Sequence, residues 1–331
     1  MIRIFVLAVT QISSQIFQDT AVEENFAKAE SLIRQAASQG ADLAILPEYH
    51  LTSWCPEHPD FLKATLESAT YLPRYQALAR EVNINIVPGT IVVPLTPTNP
   101  NNQDDHSSVH QDSHEQRPRQ LAASQDGEDN SSQLANMTYW IAAGSGSILG
   151  TYQKTNLWHP ERPLLTAGNT AFPLHQAFDT PLVLDAESGR PLRAGLLICW
   201  DLAFPEAFRA LVADGADLVI VPAWWKLDDV DDVAYHMNRN CEKVFLESVT
   251  VARACENTCA VAFVNHAGCS QVALPILGAA GGGPMPADEE GVRVVEVDFG
   301  VLKVAERNYK VREDMMRVGW HYGYSVWKGG E

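Results

Sequence analysis

Apolar positions recur at two spacings along this chain, one helical and one strand-like, and their alternation predicts an α/β architecture. Phe26, Leu32, Ile33 and Ala36 fall on one helical face, with Thr20 and Glu23 as a capping box before them and Gly40 as the stop. A short apolar run follows, Gly40-Ala41-Asp42-Leu43-Ala44-Ile45-Leu46-Pro47-Glu48, which reads as a buried strand closed by proline. Nearly the same pattern returns at Gly215-Ala216-Asp217-Leu218-Val219-Ile220-Val221-Pro222-Ala223, again behind a helical segment, Phe208 to Ala213. The echo predicts two similar α/β halves with helices on the outer faces of their sheets. Further strands are expected at the opening Met1 to Val9 and at Ile84 to Val93, Met137 to Ala143, Arg193 to Cys199, Cys259 to Val264 and Val292 to Val297. A long helix is expected from Asp231 to Asn257, where Val244, Ser248, Val251 and Cys255, flanked by Phe245, Val249 and Ala252, make a broad apolar face.

Residues 95–134 break this order. They are rich in Asn, Gln, Asp and Ser, and such a stretch buries too little surface to offset its ordering entropy. The expectation is a flexible polar insertion in a single domain spanning 1–331. His106, His110 and His114 recur in it every fourth residue, near Asp104, Asp105 and Asp112, but nothing helical supports that spacing, so the segment reads as a solvated tract. The tail at 308–331 carries Trp320, His321, Tyr322, Tyr324 and Trp327, an aromatic set suited to a subunit contact.

Bulk properties narrow the function. A net charge of −17 argues against nucleic acid and anionic membrane surfaces as partners. The six cysteines (Cys55, Cys199, Cys241, Cys255, Cys259 and Cys269) lack paired zinc spacing and fit free thiols in a reducing compartment. No apolar run approaches the roughly 20 residues that span a bilayer. A cytoplasmic protein is expected. No G-x-S-x-G elbow is present, and Gly144-Ser145-Gly146 and the glycines from Gly278 to Pro284 read as turns rather than phosphate loops.

Chemistry concentrates at strand ends. In Gly195-Leu196-Leu197-Ile198-Cys199-Trp200-Asp201-Leu202-Ala203-Phe204-Pro205-Glu206 an apolar strand delivers Cys199 to a sharp turn into a helix. Backbone N–H groups and the positive helix end at such a turn favour thiolate. Glu48 ends the first echoed strand where the second copy has Ala223. That position suits a working carboxylate of an α/β enzyme, and equally a salt-bridged one. Lys154 stands between a strand and an aromatic, proline-containing loop. The three suggest one mechanism: Glu48 takes the thiol proton, the thiolate attacks an electrophilic carbon, and Lys154 stabilises the oxyanion.

Leu46-Pro47-Glu48, Tyr152-Gln153-Lys154 and the run from Cys199 to Glu206 resemble the glutamate, lysine and cysteine motifs of the nitrilase superfamily, the carbon–nitrogen hydrolases. Asn136, Arg253-Ala254-Cys255-Glu256-Asn257 and Val264-Asn265 also match it, so the resemblance covers nearly the whole chain. It implies a four-layer α-β-β-α sandwich of two mixed sheets, a thioester or thioimidate intermediate, no metal, no organic cofactor, and homodimers or larger assemblies. It also implies a second glutamate after the lysine, which Glu161 fits; without the resemblance, Glu161-Arg162 reads as a surface ion pair.

The substrate class divides. Cys199-Trp200 is similar to both nitrilases and N-carbamoylputrescine amidases, Asp201 with Phe204-Pro205-Glu206 favours amides and carbamoyl compounds, and Glu161-Arg162 favours nitriles. An amide or N-carbamoyl hydrolase is expected, with nitrile hydrolysis second and a non-catalytic binding protein on the same fold third. Tyr49, His50, Trp54, His159, Trp200, Trp224 and Trp225 are the pocket candidates, and they suit an apolar or aromatic substituent. Lys154 is expected to hold Glu48 ionised against burial, and the backbone N–H of Trp200 to assist Lys154 at the oxyanion.

Overall fold

The computed structural model describes residues 1–8, 21–95, 134–168, 175–185, 189–287 and 291–317. Its first sheet takes β1 (Ile2–Ala8), β2 (Leu43–Ile45), β3 (Asn85–Val87), β4 (Ile91–Pro94), β5 (Leu134–Ile141) and β6 (Ile148–Gln153). Its second takes β7 (Phe178–Asp185), β8 (Arg190–Leu196), β9 (Leu218–Ala223), β10 (Ala260–Asn265), β11 (Gln271–Leu274) and β12 (Gly278–Ala279). The last strand, β13 (Gly291–Val297), returns to the first sheet antiparallel to β1. The first sheet therefore runs β13-β1-β2-β3-β5-β4, with β6 on β5, and the second runs β12-β11-β10-β9-β8-β7. Both mix parallel and antiparallel pairs.

The echoed segments are β2 and β9, and each is parallel to both neighbours. Such strands are covered on both faces, which is why they are apolar without alternation. Their side chains still obey the pleat. Leu43 and Ile45 enter the core between the sheets, where Val219, Val221 and Phe263 sit. Ala44 and Leu46 point the other way, toward Phe26 and Ile33 of α1 (Ala21–Ser38), beyond which lie α2 (Phe61–Ser68) and Tyr75 of α3 (Leu72–Val82). On the second sheet, α4 (Pro205–Ala213), α5 (Asp232–Met237) and α6 (Cys241–Asn257) follow, and Phe208, Leu211 and Leu246 pack into its core. The layers are α-β-β-α, as expected. The helices α7 (Gly300–Tyr309) and α8 (Val311–Met316) close the described chain, and among the described residues no helix is long and apolar enough to cross a membrane.

Two expected elements are broken. The strand over 84–93 divides into β3 and β4, because Gly89 turns the chain at φ +58° and passes against Pro47. A Cβ on Gly89 would lie 1.8 Å from the Pro47 carbonyl oxygen, one residue before Glu48. Gly89→Ala is therefore expected to cost at least about 2 kcal/mol in urea unfolding, combining a clash with a disfavoured backbone. An unchanged midpoint would contradict the close approach. The helix over 231–257 divides into α5 and α6 at Asn238, which leaves helical geometry at φ −155° while its Oδ1 accepts the Asn240 N–H at 3.0 Å. A short amide side chain offers the backbone this alternative partner. The strand β7 went unpredicted, although Phe178, Thr180, Leu182 and Leu184 alternate at its spacing. Thr20, residues 96–133 with their three histidines, and the aromatic tail from 318 lie outside the described residues.

Candidate active site

Glu48, Lys154 and Cys199 follow β2, β6 and β8, so the two-sheet arrangement brings three distant segments to the carboxyl ends of strands. Lys154 lies at the centre. Its Nζ donates to Glu48 Oε1 at 2.9 Å and to Glu161 Oε1 at 2.8 Å, and each of the three side chains is at most 2 % exposed. Asn136 Nδ2 donates to Glu48 Oε1 at 2.8 Å and to the Tyr49 hydroxyl at 2.9 Å. The Tyr49 hydroxyl donates in turn to Glu161 Oε1 at 2.6 Å, which closes a ring of five side chains. Backbone N–H groups fill the remaining carboxylate oxygens: Trp224 to Glu48 Oε2 and Trp158 to Glu161 Oε2, both at 2.8 Å. Each buried charge is thus paired and hydrogen-bonded, the condition under which burial is tolerable. Glu161 does not pair with Arg162, whose Nε reaches the Leu157 carbonyl, so the surface-pair reading of Glu161 fails.

The Cys199 thiol faces the same cavity as Glu48 and Lys154, and the charges of both act on the sulfur. Cys199 sits at φ +46°, in the left-handed region that a residue carrying a Cβ rarely adopts. Holding it there costs about 1–3 kcal/mol. Asp201 supplies the restraint. Its fully buried carboxylate accepts from the Ile198 N–H and Tyr152 hydroxyl on Oδ2, both at 2.9 Å, and from the Asn156 N–H and Nδ2 on Oδ1 at 3.0 and 2.9 Å. One carboxylate therefore locks the cysteine turn to the loop after Lys154. In the sequence Asp201 read only as a marker of substrate class.

Electrostatics bear on two expectations. Burial pushes the Glu48 carboxyl above its ordinary range; Lys154 opposes this, but with the Glu161 charge added burial prevails. Burial likewise pushes the Cys199 thiol well up, and the Glu48 charge reinforces it more than Lys154 relieves it. The strand–turn–helix setting does not yield a resting thiolate. Lys154 behaves oppositely: burial works against its charge, yet Glu48, Glu161 and Cys199 hold the ammonium above its ordinary value. The resting pair is a thiol near a carboxyl group, beside a lysine that stays charged. Such a pair can move its proton from sulfur to oxygen as the sulfur bonds to carbon.

A cavity of about 120 Å³ opens onto these groups. Tyr49, Trp54, Trp200, Trp224 and Trp225 line it, as the sequence suggested. His50 and His159 do not. His50 is buried behind the wall, 2.6 Å from the Tyr75 hydroxyl, and burial lowers its pKa to about 3. His159 begins a short turn (His159–Glu161) that leaves it exposed, and Trp158 forms the wall instead. Asp229 and Glu242 also line the cavity, and neither stood out in the sequence. Trp225 is clamped by Asn265, which accepts its N–H at Oδ1 and donates Nδ2 to its carbonyl, both at 2.8 Å. The Trp224 ring stacks on His266 at 3.6 Å.

A carbon-nitrogen hydrolase family model matches residues 6–112 and 118–307. The chain is similar to a nitrilase of Pyrococcus abyssi, 26% identical over 66% of this chain and 64% of that protein. It is also similar to a deaminated glutathione amidase of Bos taurus, 30% identical over 61% of this chain and 51% of the relative. Across the first four curated relatives, the aligned part spans between 51% and 64% of their length. In fold, the chain matches Nit3 of Saccharomyces cerevisiae, a member of branch 10 of the nitrilase superfamily, at TM-score 0.65 and 16% identity, covering 96% of this chain and 97% of that one. It also matches an amidase from Nesterenkonia sp. AN1 at TM-score 0.61 and 20% identity, covering 93% of this chain and all of the other.

Proposed function

This chain belongs to the carbon–nitrogen hydrolase family, and we propose that it hydrolyses a small amide or N-carbamoyl compound through an acyl-enzyme on Cys199. Sγ attacks the carbonyl carbon while its proton passes to Glu48, which lines the same cavity. Lys154 and the Trp200 N–H receive the oxyanion, each worth about 3 kcal/mol by the usual cost of deleting such a donor. Glu48 then gives its proton to the departing nitrogen, and ammonia or an amine leaves a thioester behind. Water enters, Glu48 takes its proton, and collapse of the second tetrahedral adduct frees the acid and returns the proton to sulfur. Glu161 and Tyr49 work through Lys154, holding its Nζ in place.

One observation carries this reading: a buried ammonium bridges two buried carboxylates, and a cysteine in the left-handed region opens onto the same cavity. Burying such charges costs several kcal/mol per ion before pairing, so a binding scaffold gains nothing from retaining them. The same groups would carry a nitrile to a thioimidate, so nitriles form one arm of the test. Ammonia release is expected from short amides or N-carbamoyl amines and not from the matching nitriles. Turnover of nitriles alone, or of nothing in the panel, would overturn the proposal.

The pH profile provides an independent check. Glu48 accepts the thiol proton only when ionised, and burial pushes its carboxyl above 4.5. Activity therefore rises with pH as Glu48 loses its proton, and the acid limb of kcat/KM is expected above that ordinary glutamate value. A limb at or below it would contradict the assignment.

A further inference from the structure

Two carboxylates at the cavity have no part in the proposed chemistry. Asp229 follows β9 and Glu242 stands in the first turn of α6, and both line the cavity that holds Cys199. Their hydrogen bonds orient them without neutralising them. Asp229 Oδ2 accepts the Lys226 backbone N–H at 3.3 Å, and Glu242 Oε2 accepts Trp225 Nε1–H at 2.6 Å. Neither belongs to an ion pair among the described residues; the Lys226 ammonium acts on Asp229 only at longer range. Burial raises both carboxyls, opposed by those hydrogen bonds; the neighbouring Asp228 charge raises Asp229 and the Asp229 charge raises Glu242.

The lining as a whole is unbalanced. It carries four carboxylates (Glu48, Glu161, Asp229 and Glu242) against the single ammonium of Lys154, which is already shared between Glu48 and Glu161. Half-buried carboxyls of like charge on one lining favour an entering cation, and an entering anion would meet a lining in which negative groups outnumber positive ones. The indole walls favour the same charge, because ring faces attract ammonium and guanidinium groups. The void, near 120 Å³, has room for a charge carried on a short chain.

Resting on the hydrolytic reading above, we infer that the substrate is a short amide or N-carbamoyl compound with a second, cationic nitrogen, which Asp229 and Glu242 hold while the carbonyl faces Cys199. This assigns the two carboxylates as specificity determinants of the site.

The test separates binding from turnover. Calorimetry on the Cys199→Ala protein compares 4-aminobutanamide, its uncharged isostere pentanamide, and the anionic succinamate, while ammonia release is followed with the unaltered protein. The cation is expected to bind at least about tenfold more tightly than pentanamide, with succinamate weakest. In Asp229→Asn combined with Glu242→Gln, which keeps an acceptor for Trp225, the cation-to-neutral ratio falls toward one. Asp229→Asn alone, in a loop, lowers it partway and guards against a misfolded double variant. Equal binding of cation and isostere, no binding of the cation, or an unchanged ratio in the variants would overturn the inference. Charge-selective binding without ammonia release from any of the three would sustain the inference and count against the hydrolytic reading.

Discussion

Replacing Cys199 by alanine lowers ammonia release by on the order of 10⁵-fold or more, in keeping with the loss of a covalent nucleophile from a site whose members act as a unit. The remaining groups offer no substitute. Lys154 is held charged between two carboxylates, and Glu48, with its oxygens already engaged by Lys154, Asn136 and Trp224, is placed for proton transfer and not for attack. The fold is expected to persist with a stability change within about 1 kcal/mol, since the cysteine side chain is small and the turn is held by Asp201. Near-normal turnover in a folded Cys199→Ala protein would rule out the acyl-enzyme.

Lys154→Met has the second large effect, and it falls on stability as well as on rate. With the ammonium gone, Glu48 and Glu161 remain buried and face each other across its former position, at 1 % and 2 % exposure. Removing one partner from a buried ion pair typically costs about 3–5 kcal/mol, because the other charge is left uncompensated. Urea unfolding is expected to show a loss of that size. Adding Glu161→Gln removes one stranded charge and restores part of the stability, while activity stays lost. That non-additivity is the mark of neighbours in one network. A Lys154→Met protein as stable as the parent would mean that the trio is solvated and the paired geometry incorrect.

The sequence showed those features that a local pattern imposes. Leu43 to Leu46 and Leu218 to Val221 announced buried parallel strands because such strands must be apolar on both faces. The cysteine turn announced itself because the apolar run stops at Ile198 and Pro205 marks the start of a helix just beyond the turn over Cys199–Ala203. What escaped depended on partners far apart in the chain. Tyr49 meets Glu161 across 112 positions and Asn136 across 87, so no spacing rule points to the ring around Lys154. Protonation escaped for a related reason: the turn geometry alone favours thiolate, and only the burial of Cys199 against Glu48 reverses the sign. The wall residue moved by one position, from His159 to Trp158, where a single short turn decided which side chain faces inward.

The most direct test is to quench the protein during turnover of an amide and map the peptides by mass. The peptide bearing Cys199 is expected to carry the acyl group in the steady state, released by hydroxylamine and missing from Cys199→Ala. Turnover with Cys199 unmodified at every sampled time, or an acyl group on another residue, would contradict the account.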